Sequence, residues 1–407
     1  MTARVLELTE YESLELERHE LSEEEAQAIW AAGDGKISVE SPGPQTGFRW
    51  RLTSSGWVGY LPVRGDFGLA LTPRVDLGNL FRKLEYAYNL KSFELFDGVV
   101  DAGSLRDFYE RLAHVLARRV IDRARRGLYR SYLEWDERVS YVRGRIDVRR
   151  AIARPWDPTL RCQFEEHTAD IEENHILLHT LETIARSGLC TERVLPAVRN
   201  AFRSVSGFAS QHPITASDCL SRLYNRLNDD YKPMHALCRF FLEHAGPTLD
   251  VGDHQMIPFV INMPRLFEQF VAEWMRVHLP YDYMLKPQYS MSFGDNGEFT
   301  IKIDLLLADA KTGAAVCVLD TKYKIPDQPS MDDIEQVVAY AVANNCTEAV
   351  LVYPQPLKQR LDMRWGGSDV RVRSLVFDLR GDREMAGKAF LSSLRGTSFH
   401  LAAEAGG

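Results

Sequence analysis

The sequence predicts a multidomain α/β protein with a β-rich N-terminal domain at 1–97, a helical middle domain at 98–250 and an α/β C-terminal domain at 251–407. The first observation behind this prediction is that the hydrophobic pattern changes along the chain, from near alternation to helical spacing and then to a mixture of both. The second is length, because 407 residues exceed what one core usually holds and favour two or three domains. The third is composition: 45% hydrophobic and 26% charged residues are typical of a folded globular chain.

The N-terminal domain is predicted from short segments of alternating character. Apolar and polar residues alternate, or nearly so, at 48–52 and 57–61, and an apolar segment at 69–73 follows a glycine-containing break. Before them, Ser22 is followed three residues later by Glu25, which is the spacing of a capping box. We therefore expect one early helix followed by short strands.

The middle domain is predicted to be helical because apolar residues such as Leu112 and Leu116 recur at helical spacing. Two arginine-dense segments, 118–130 and 143–150, lie within it. They fit either solvent-exposed faces paired with carboxylates or contacts to phosphate or a protein partner, and the sequence leaves both interpretations open. The segment 246–253, which contains Gly, Pro and Asp, is predicted to be a linker.

The C-terminal domain is predicted to begin with an amphipathic helix at 264–279. Three strands follow, the first two flanking a turn at 294–297, with the second strand at 299–307 and the third at 315–324. The apolar face of the helix is predicted to contain Phe267, Phe270, Val271, Trp274 and Val277.

A second helix and a fourth strand complete the predicted order. Ser330 and Asp333 have capping-box spacing, and the apolar residues after them recur at helical spacing. The segment 349–353 is short and wholly apolar, as expected of a strand covered on both faces. The predicted order is therefore helix, three strands, helix, strand.

Charged residues interrupt two of these predicted strands. Asp304 lies inside the apolar segment 301–307, where a buried charge is costly unless it is paired or binds a metal ion. On the next strand Asp320 and Lys322 are two residues apart, so strand alternation places both side chains on one face. If the two strands are neighbours, the two aspartates converge with an amine beside them.

Residues of these types can hydrolyse a phosphodiester bond. We expect Asp304 and Asp320 to bind Mg²⁺, with Mn²⁺ as the alternative, because hard cations prefer oxygen ligands. The ion would polarise the phosphate and lower the pKa of a bound water, while Lys322 positions or activates that water and offsets negative charge. A surface salt bridge between Lys322 and either aspartate is the structural alternative, since D-x-K is common by chance.

The two flanking helices supply further candidate residues. Glu268 lies at the edge of the apolar face of the first helix, and Gln336 and Tyr340 are four residues apart on the second, hence on one face. Their coincidence with an aspartate inside one strand and D-x-K on the next favours a functional site over a salt bridge.

This arrangement resembles a known nuclease core. Asp304, the segment 320–322 (DTK) and the element order around them resemble PD-(D/E)XK nucleases, and Gln336-x-x-x-Tyr340 resembles the motif of their RecB-like branch. Ile303 stands where the name of the motif has proline, which is a small departure. The resemblance implies that the C-terminal domain has a PD-(D/E)XK restriction-endonuclease-like α/β fold.

Three segments narrow the resemblance to one family. The segments 319–324 (LDTKYK), 266–271 (LFEQFV) and 142–147 (VRGRID) are similar to McrC, the endonuclease subunit of McrBC 5-methylcytosine restriction systems. The resemblance covers most of the chain, and its motifs are sharp from 266 to 340. It implies a Mg²⁺-dependent DNA endonuclease that serves in phage defence.

The resemblance also implies a role for each site residue. Asp304, Asp320 and the main-chain carbonyl of Thr321 would bind the metal, with Glu268 assisting metal or water binding. Lys322 would be the catalytic lysine. The glutamine and tyrosine of the Q-x-x-x-Y motif would brace the site or touch DNA.

The family resemblance implies two partners, DNA and an McrB-like AAA+ NTPase that hydrolyses GTP. The N-terminal domain of such proteins docks into the NTPase ring and stimulates hydrolysis; Arg143 and Arg145 are candidates for that stimulation. The net charge of −8 agrees with a nuclease that is brought to DNA by a partner. The absence of a secretory signal, of an apolar run of bilayer length and of paired cysteine motifs predicts a cytoplasmic protein with no membrane partner.

Two other functions remain open at the level of sequence. The chain could be a regulatory subunit that activates the NTPase and carries a vestigial nuclease site, although the complete set of Asp304, Asp320 and Lys322 argues against decay. It could also be a stand-alone PD-(D/E)XK repair nuclease, which the long N-terminal and middle regions disfavour.

Overall fold

The chain divides into two compact units. The first unit comprises Met1–Gly103 together with Val260–Gly407, and the second comprises Ser104–Phe259. Residues from the predicted N-terminal and C-terminal domains therefore belong to one compact unit. The computed structural model describes residues 4–64, 67–74, 86–87, 105–220, 222–245, 249–251, 254–256, 259–293, 299–324, 326–380 and 383–395.

The first unit begins with short strands and one helix. In chain order these are β1 (Arg4–Thr9), β2 (Ser13–Leu16), α1 (Glu23–Gly33), β3 (Ile37–Glu40), a 3-10 turn (Pro44–Thr46), β4 (Trp50–Ser54), β5 (Trp57–Arg64) and β6 (Phe67–Thr72). Strands β2, β4 and β3 form a three-stranded sheet, and β1, β6 and β5 form a second sheet. The strand β12 (Phe259–Asn262) joins that second sheet beside β5, so the chain returns to the N-terminal sheet.

The sequence predictions for this region are confirmed. Strands β4, β5 and β6 have their ends within three residues of the three predicted segments, and Ser22 and Glu25 make both hydrogen bonds of a capping box. The core between α1 and the two sheets contains fully buried apolar residues, among them Ile29, Leu52 and Leu69. Burial alternates along β4, whereas β5 and β6 have consecutive buried residues and so are covered on both faces over part of their length.

The second unit contains helices and a sheet that the sequence did not predict. Its elements are α2 (Leu105–Arg126), β7 (Ser131–Val139), β8 (Arg145–Ile146), α3 (Val148–Ala153), β9 (Leu160–Thr168), α4 (Glu172–Arg186), α5 (Leu195–Ser206), a 3-10 turn (Ala216–Cys219), α6 (Tyr231–His244), β10 (Leu249–Val251) and β11 (His254–Met256). Strand β9 pairs antiparallel with both β7 and β8. Most of β7 is exposed, so its sequence lacks the apolar alternation that would have identified a strand. Residues 249–251 form a strand that pairs with β11, where a linker was predicted.

The arginine-dense segments of the second unit are partly paired with acids. Arg123 forms an ion pair with Asp230 at 3.2 Å. Arg143 lies 3.5 Å from Glu166, and its guanidinium lies over the Phe164 ring, 4.1 Å from the centroid. Both arginines are paired with carboxylates, as one of the two interpretations expected, but the Arg123 side chain is only 17% exposed and so does not lie on a solvated face. The stimulatory role of Arg143 or Arg145 stays a prediction.

The remainder of the first unit is a mixed sheet with helices. Its elements are α7 (Met263–His278), β13 (Tyr283–Phe293), β14 (Phe299–Asp309), β15 (Ala315–Thr321), α8 (Met331–Ala343), β16 (Glu348–Tyr353), β17 (Asp362–Arg364), β18 (Arg371–Val376) and α9 (Arg383–Arg395). The strand order is β13-β14-β15-β16-β18-β17, antiparallel from β13 to β15 and parallel from β15 through β16 to β18. The predicted order of helix, three strands, helix and strand is confirmed.

Burial follows the predicted pattern with one exception. Phe267, Phe270, Val271 and Trp274 of α7 are buried, but Val277 is 50% exposed, so its placement on the apolar face was wrong. It lies in the last turn of α7, one residue before the end of the helix. Every residue of β16 is buried, as expected of a strand that has neighbours on both sides. The predicted turn at 294–297 lies outside the described residues.

Candidate active site

The two aspartates lie on neighbouring antiparallel strands. Leu305 of β14 is paired with Leu319 of β15, so the next pair along the ladder places Asp304 opposite Asp320. Directly opposed residues have Cβ atoms about 5 Å apart, which is close enough for two carboxylates to share an ion. This register places the two side chains on one face of the sheet, and the Asp304 carboxylate is near enough to raise the pKa of Asp320.

Asp304 is held by the end of the neighbouring strand. The main-chain N–H and the hydroxyl of Thr321 both donate to Asp304 Oδ2, each at 2.8 Å. Both hydrogen bonds end on the same oxygen, so Oδ1 can accept another ligand. The Thr321 hydroxyl was not predicted to act here, because only its main-chain carbonyl follows from the family pattern.

Asp320 is buried and ion-paired. It is 3% exposed, and its Oδ2 lies 2.7 Å from Lys322 Nζ. Burial and the nearby Asp304 carboxylate raise the pKa of Asp320 to about 6, although Lys322 acts in the opposite direction. The site therefore contains a carboxylate whose charge is only partly compensated by the protein.

Lys322 is shared between two acids. Besides Asp320, its amine lies 3.3 Å from Asp333 Oδ1 and donates to Gln336 Oε1 at 3.0 Å. Burial alone would lower the pKa of Lys322, but Asp320 and Asp333 outweigh it and raise that pKa. The amine is therefore held as an ammonium at neutral pH.

Asp333 is a site residue that the sequence placed only as part of a helix cap. It lies in the first turn of α8, three residues after the N-cap Ser330, whose Oγ accepts its main-chain N–H at 3.2 Å. Its side chain lies 2.8 Å from Lys324 Nζ as well as near Lys322. Asp333 thus ties the two lysines that follow β15 to the first turn of α8. Burial raises the pKa of Asp333, but the two lysines outweigh it and lower that pKa.

Gln336 and Tyr340 come together on one face of α8, as predicted. Gln336 Nε2 donates to the Tyr340 hydroxyl at 2.8 Å, and Gln336 Oε1 accepts from Lys322. The Gln336 side-chain amide therefore links the Tyr340 hydroxyl to the Lys322 ammonium group through two hydrogen bonds. The arrangement agrees with a bracing role for both residues.

Glu268 approaches the aspartates from α7. Gln288 Nε2 donates to Glu268 Oε1, and burial together with Asp304 raises the pKa of Glu268 to about 7. Gln288 has a positive φ of 50°. It lies between the pairs Pro287–Leu305 and Tyr289–Ile303, opposite Asp304 in the same register. The sequence pattern did not identify Gln288 as a site residue.

The donor set suits a hard divalent cation that keeps several waters. In the part of the chain that the structure describes, no group of three or more His, Cys, Asp or Glu side chains is arranged to hold a metal ion. Mg²⁺ is commonly bound by only one or two carboxylates plus water, so the Asp304–Asp320 pair fits it. The proposal that Glu268 or the Thr321 carbonyl also assists the metal remains a prediction.

A first prediction concerns stability in the presence of Mg²⁺. Because the pKa values of Asp320 (about 6) and Glu268 (about 7) are raised in the folded chain, their contribution to stability is lost as the pH rises through this range. A cation that neutralises the pair should restore it, and ligand at a hundred times its Kd stabilises by about 2.7 kcal/mol. We expect saturating MgCl₂ to raise the melting temperature clearly at about pH 8 and little at about pH 5.

Thermal melting of the purified chain with and without MgCl₂ measures this effect. The control is Asp320→Asn, which should abolish the Mg²⁺-dependent increase at about pH 8 because one of the two ligands is lost. An equal increase in the variant, or an increase independent of pH, would contradict binding at the Asp304–Asp320 pair.

Comparison with known proteins adds to this geometry. A family described as "McrBC 5-methylcytosine restriction system component" matches residues 52–354. A curated relative, the type IV methyl-directed restriction enzyme EcoKMcrBC of Escherichia coli (strain K12), is 23% identical over 214 residues, which is 51% of this chain. The match spans 60% of the length of that relative.

A solved structure has a similar fold over nearly the whole chain. It is the refined half-complex from the tetradecameric assembly of Thermococcus gammatolerans McrB AAA+ hexamers with bound McrC, with a TM-score of 0.56 and 16% identity. The alignment covers 96% of this chain and 99% of that one. Within the described residues, no helix of this chain has both the length and the apolar composition needed to cross a bilayer.

Proposed function

Because the chain belongs to the family of McrBC 5-methylcytosine restriction system components, we propose that it is the McrC-type endonuclease subunit of such a system. It hydrolyses DNA phosphodiester bonds with Mg²⁺ at the Asp304–Asp320 pair, and it works with, and stimulates, a AAA+ NTPase partner. The observation that carries the proposal is the placement of Asp304 and Asp320 on adjacent strands, next to the pair Leu305–Leu319, with the Lys322 ammonium group 2.7 Å from Asp320.

The acidic residues of the site have two roles in this proposal: two of them bind the metal ion and one accepts a proton. Asp304 and Asp320 would hold Mg²⁺, and when bound the ion supplies a Lewis acid for the phosphate and lowers the pKa of a water. Thr321 fixes Asp304 by its two hydrogen bonds, so the carboxylate keeps one orientation. Glu268, with a pKa raised to about 7, is poised to accept a proton from the attacking water at neutral pH.

Lys322 acts as a fixed positive charge in this mechanism. Its raised pKa disfavours a role as a general base at neutral pH, because it would have to lose its proton first. The ammonium group instead offsets the charge that develops on phosphate oxygens and donates to the attacking water. Gln336 and Asp333 keep it in place from α8.

The partner follows from the relatives and not from the site. The structural relative contains McrB AAA+ hexamers with bound McrC, and we extend this assembly to the present chain, with GTP as the expected nucleotide. The net charge of −8 supports delivery to DNA by a partner, because overall electrostatic attraction to phosphates is lacking.

The proposal is tested with the full chain, its co-purified AAA+ partner, nucleotide and Mg²⁺. DNA containing 5-methylcytosine is offered beside unmodified DNA, and strand cleavage and nucleotide hydrolysis are measured in the same samples. We expect cleavage only when chain, partner, nucleotide and Mg²⁺ are all present, and we expect the chain to increase the partner's hydrolysis rate.

Two outcomes would overturn the proposal in different ways. Stimulated hydrolysis without DNA cleavage in any sample would identify a regulatory subunit with an inactive nuclease site. Cleavage by the chain alone, unaffected by partner and nucleotide, would identify a stand-alone nuclease.

A further inference from the structure

Tyr323, which lies between Lys322 and Lys324 just after β15, connects this part of the site to the N-terminal sheet. Tyr323 follows Lys322 and precedes Lys324, and it is 7% exposed. Its hydroxyl donates to Glu10 Oε1 at 2.9 Å, although the two residues are 313 positions apart in the chain. Both residues belong to the first unit, so this is a contact within one compact body.

Glu10 is itself held firmly by the N-terminal sheet. It directly follows β1, its main-chain N–H donates to the Thr72 carbonyl at 3.0 Å, and it bridges to Ser54 at the end of β4. The same carboxylate oxygen that accepts from Tyr323 also accepts the main-chain N–H of Arg74 at 2.9 Å. Glu10 is fully buried, so its carboxylate is a fixed acceptor and not a mobile surface group.

Tyr323 also contacts the helix that carries Glu268. Its ring centroid lies 6.1 Å from that of Phe267, the residue before Glu268, and 6.4 Å from that of Tyr11, the residue after Glu10. One side chain therefore touches the N-terminal sheet and α7 while its backbone continues directly from Lys322.

The segment that follows β15 borders a cavity on one side. Strand β15 ends at Thr321, and the Lys322 N–H donates to the Val352 carbonyl at 2.8 Å just beyond that end. A cavity of about 230 Å³ adjoins the next residues, so they are not closely packed on that side. Its lining residues are Glu10, Tyr11, Arg74, Tyr323, Lys324, Pro326 and Pro354.

We propose that Glu10 is a positioning residue for the nuclease site: through the Tyr323 hydroxyl it fixes the strand end that carries Lys322. The inference rests on the proposed nuclease function. Without this bond, the segment after β15 has a free side facing the cavity and Lys322 can leave its place between Asp320 and Asp333. Misplacement of a catalytic group by about 1 Å is enough to lower a rate substantially.

The test measures DNA cleavage by variants of the full chain in the presence of its AAA+ partner. Tyr323→Phe removes only the hydroxyl, and Glu10→Leu removes the acceptor; both should lower the maximal cleavage rate about tenfold without changing the half-saturating DNA concentration. Glu10→Gln should retain most of the rate, because an amide oxygen can accept the same two hydrogen bonds. The matched control is Tyr86→Phe, which removes another buried hydroxyl of the first unit, 3.3 Å from His278 Nδ1, and should cleave normally.

Two further measurements separate positioning from a general loss of stability. If Glu10 acts through Lys322, Tyr323→Phe should have no further effect on the residual rate of Lys322→Ala, whereas independent effects would multiply. Hydrogen exchange of the peptide 318–324 should be faster in Tyr323→Phe and normal in Tyr86→Phe.

The results distinguish failure of this inference from failure of the proposed function. If wild type cleaves DNA and Lys322→Ala does not, but Tyr323→Phe and Glu10→Leu cleave normally, the positioning role is wrong and the nuclease stands. If wild type does not cleave, the nuclease proposal fails. Unchanged hydrogen exchange of the peptide 318–324 in Tyr323→Phe would overturn the positioning role of Glu10 whether or not the chain cleaves DNA.

Discussion

Replacement of Asp320 by Asn is expected to lower Mg²⁺-dependent DNA cleavage about 10³-fold or more, because a metal ion at the phosphate is worth several kcal/mol of barrier and each 1.36 kcal/mol is tenfold in rate. Asparagine keeps the shape of the side chain and loses the charge that the cation needs. The substitution also removes a buried carboxylate with a raised pKa, so we expect no large loss of stability without metal at about pH 8.

The matched control for this prediction is Asp309→Asn. Asp309 is the last residue of β14, the strand that carries Asp304. Its carboxylate accepts hydrogen bonds from the main-chain N–H groups of Lys311 and Thr312. It lies five residues from Asp304, roughly 17 Å along a strand. Cleavage should stay near the wild-type rate in this control. Retention of partner-dependent cleavage in Asp320→Asn, measured under single-turnover conditions, would show that the metal is bound elsewhere.

The parts of the site that lie close together in the chain were predictable from the sequence. Strand alternation alone put Asp320 and Lys322 on one face, and helical spacing alone put Gln336 beside Tyr340. The position of Asp304 was predictable for a thermodynamic reason, since a charge inside an apolar strand requires a partner. These inferences need only the side-chain periodicity of a strand or a helix and the presence of a neighbouring strand.

Contacts between separate elements could not be predicted in this way. Gln288 of β13 donates to Glu268 of α7, which lies 20 residues before it in the chain. Glu10 reaches Tyr323 because two segments of the first unit far apart in sequence pack together. Hydrophobic periodicity carries no information on either event.

The fold shows the same division. The α/β order from α7 to β16 follows from local pattern, whereas the return of β12 to the N-terminal sheet is a pairing between distant segments. That pairing, with the strands of 1–103, is one reason why residues from both ends of the chain form a single compact unit. The sheet of β7, β8 and β9 was missed because its exposed strands bury few side chains.

Replacement of Lys322 by Ala is expected to lower the maximal cleavage rate about 10²- to 10³-fold, the usual cost of removing one group that stabilises developing charge. The half-saturating Mg²⁺ concentration should not rise, because the amine is not a metal ligand and its removal leaves the Asp320 carboxylate without a competing positive charge. Lys322→Arg should restore only part of the rate, since the planar guanidinium cannot occupy the place of a compact ammonium between Asp320 and Asp333. Lys324→Ala is the matched control, because Lys324 also pairs with Asp333 and should cost less than tenfold in rate.

The pH dependence of the same variants decides how Lys322 works. If the ammonium form is active, the fall in rate toward acidic pH comes from the carboxylates, whose pKa values are about 6 for Asp320 and about 7 for Glu268. At limiting Mg²⁺ the rate should then rise through this range and level off, and saturating Mg²⁺ should shift the rise to lower pH by competing with protons. Lys322→Ala should keep the rise at a lower rate and shift it to higher pH, because the carboxylates remain but Asp320 loses the ammonium group that lowers its pKa. A profile in which the Lys322→Ala substitution abolishes the rise altogether would instead make the lysine the titrating base, since only a deprotonated amine could accept the proton of the attacking water.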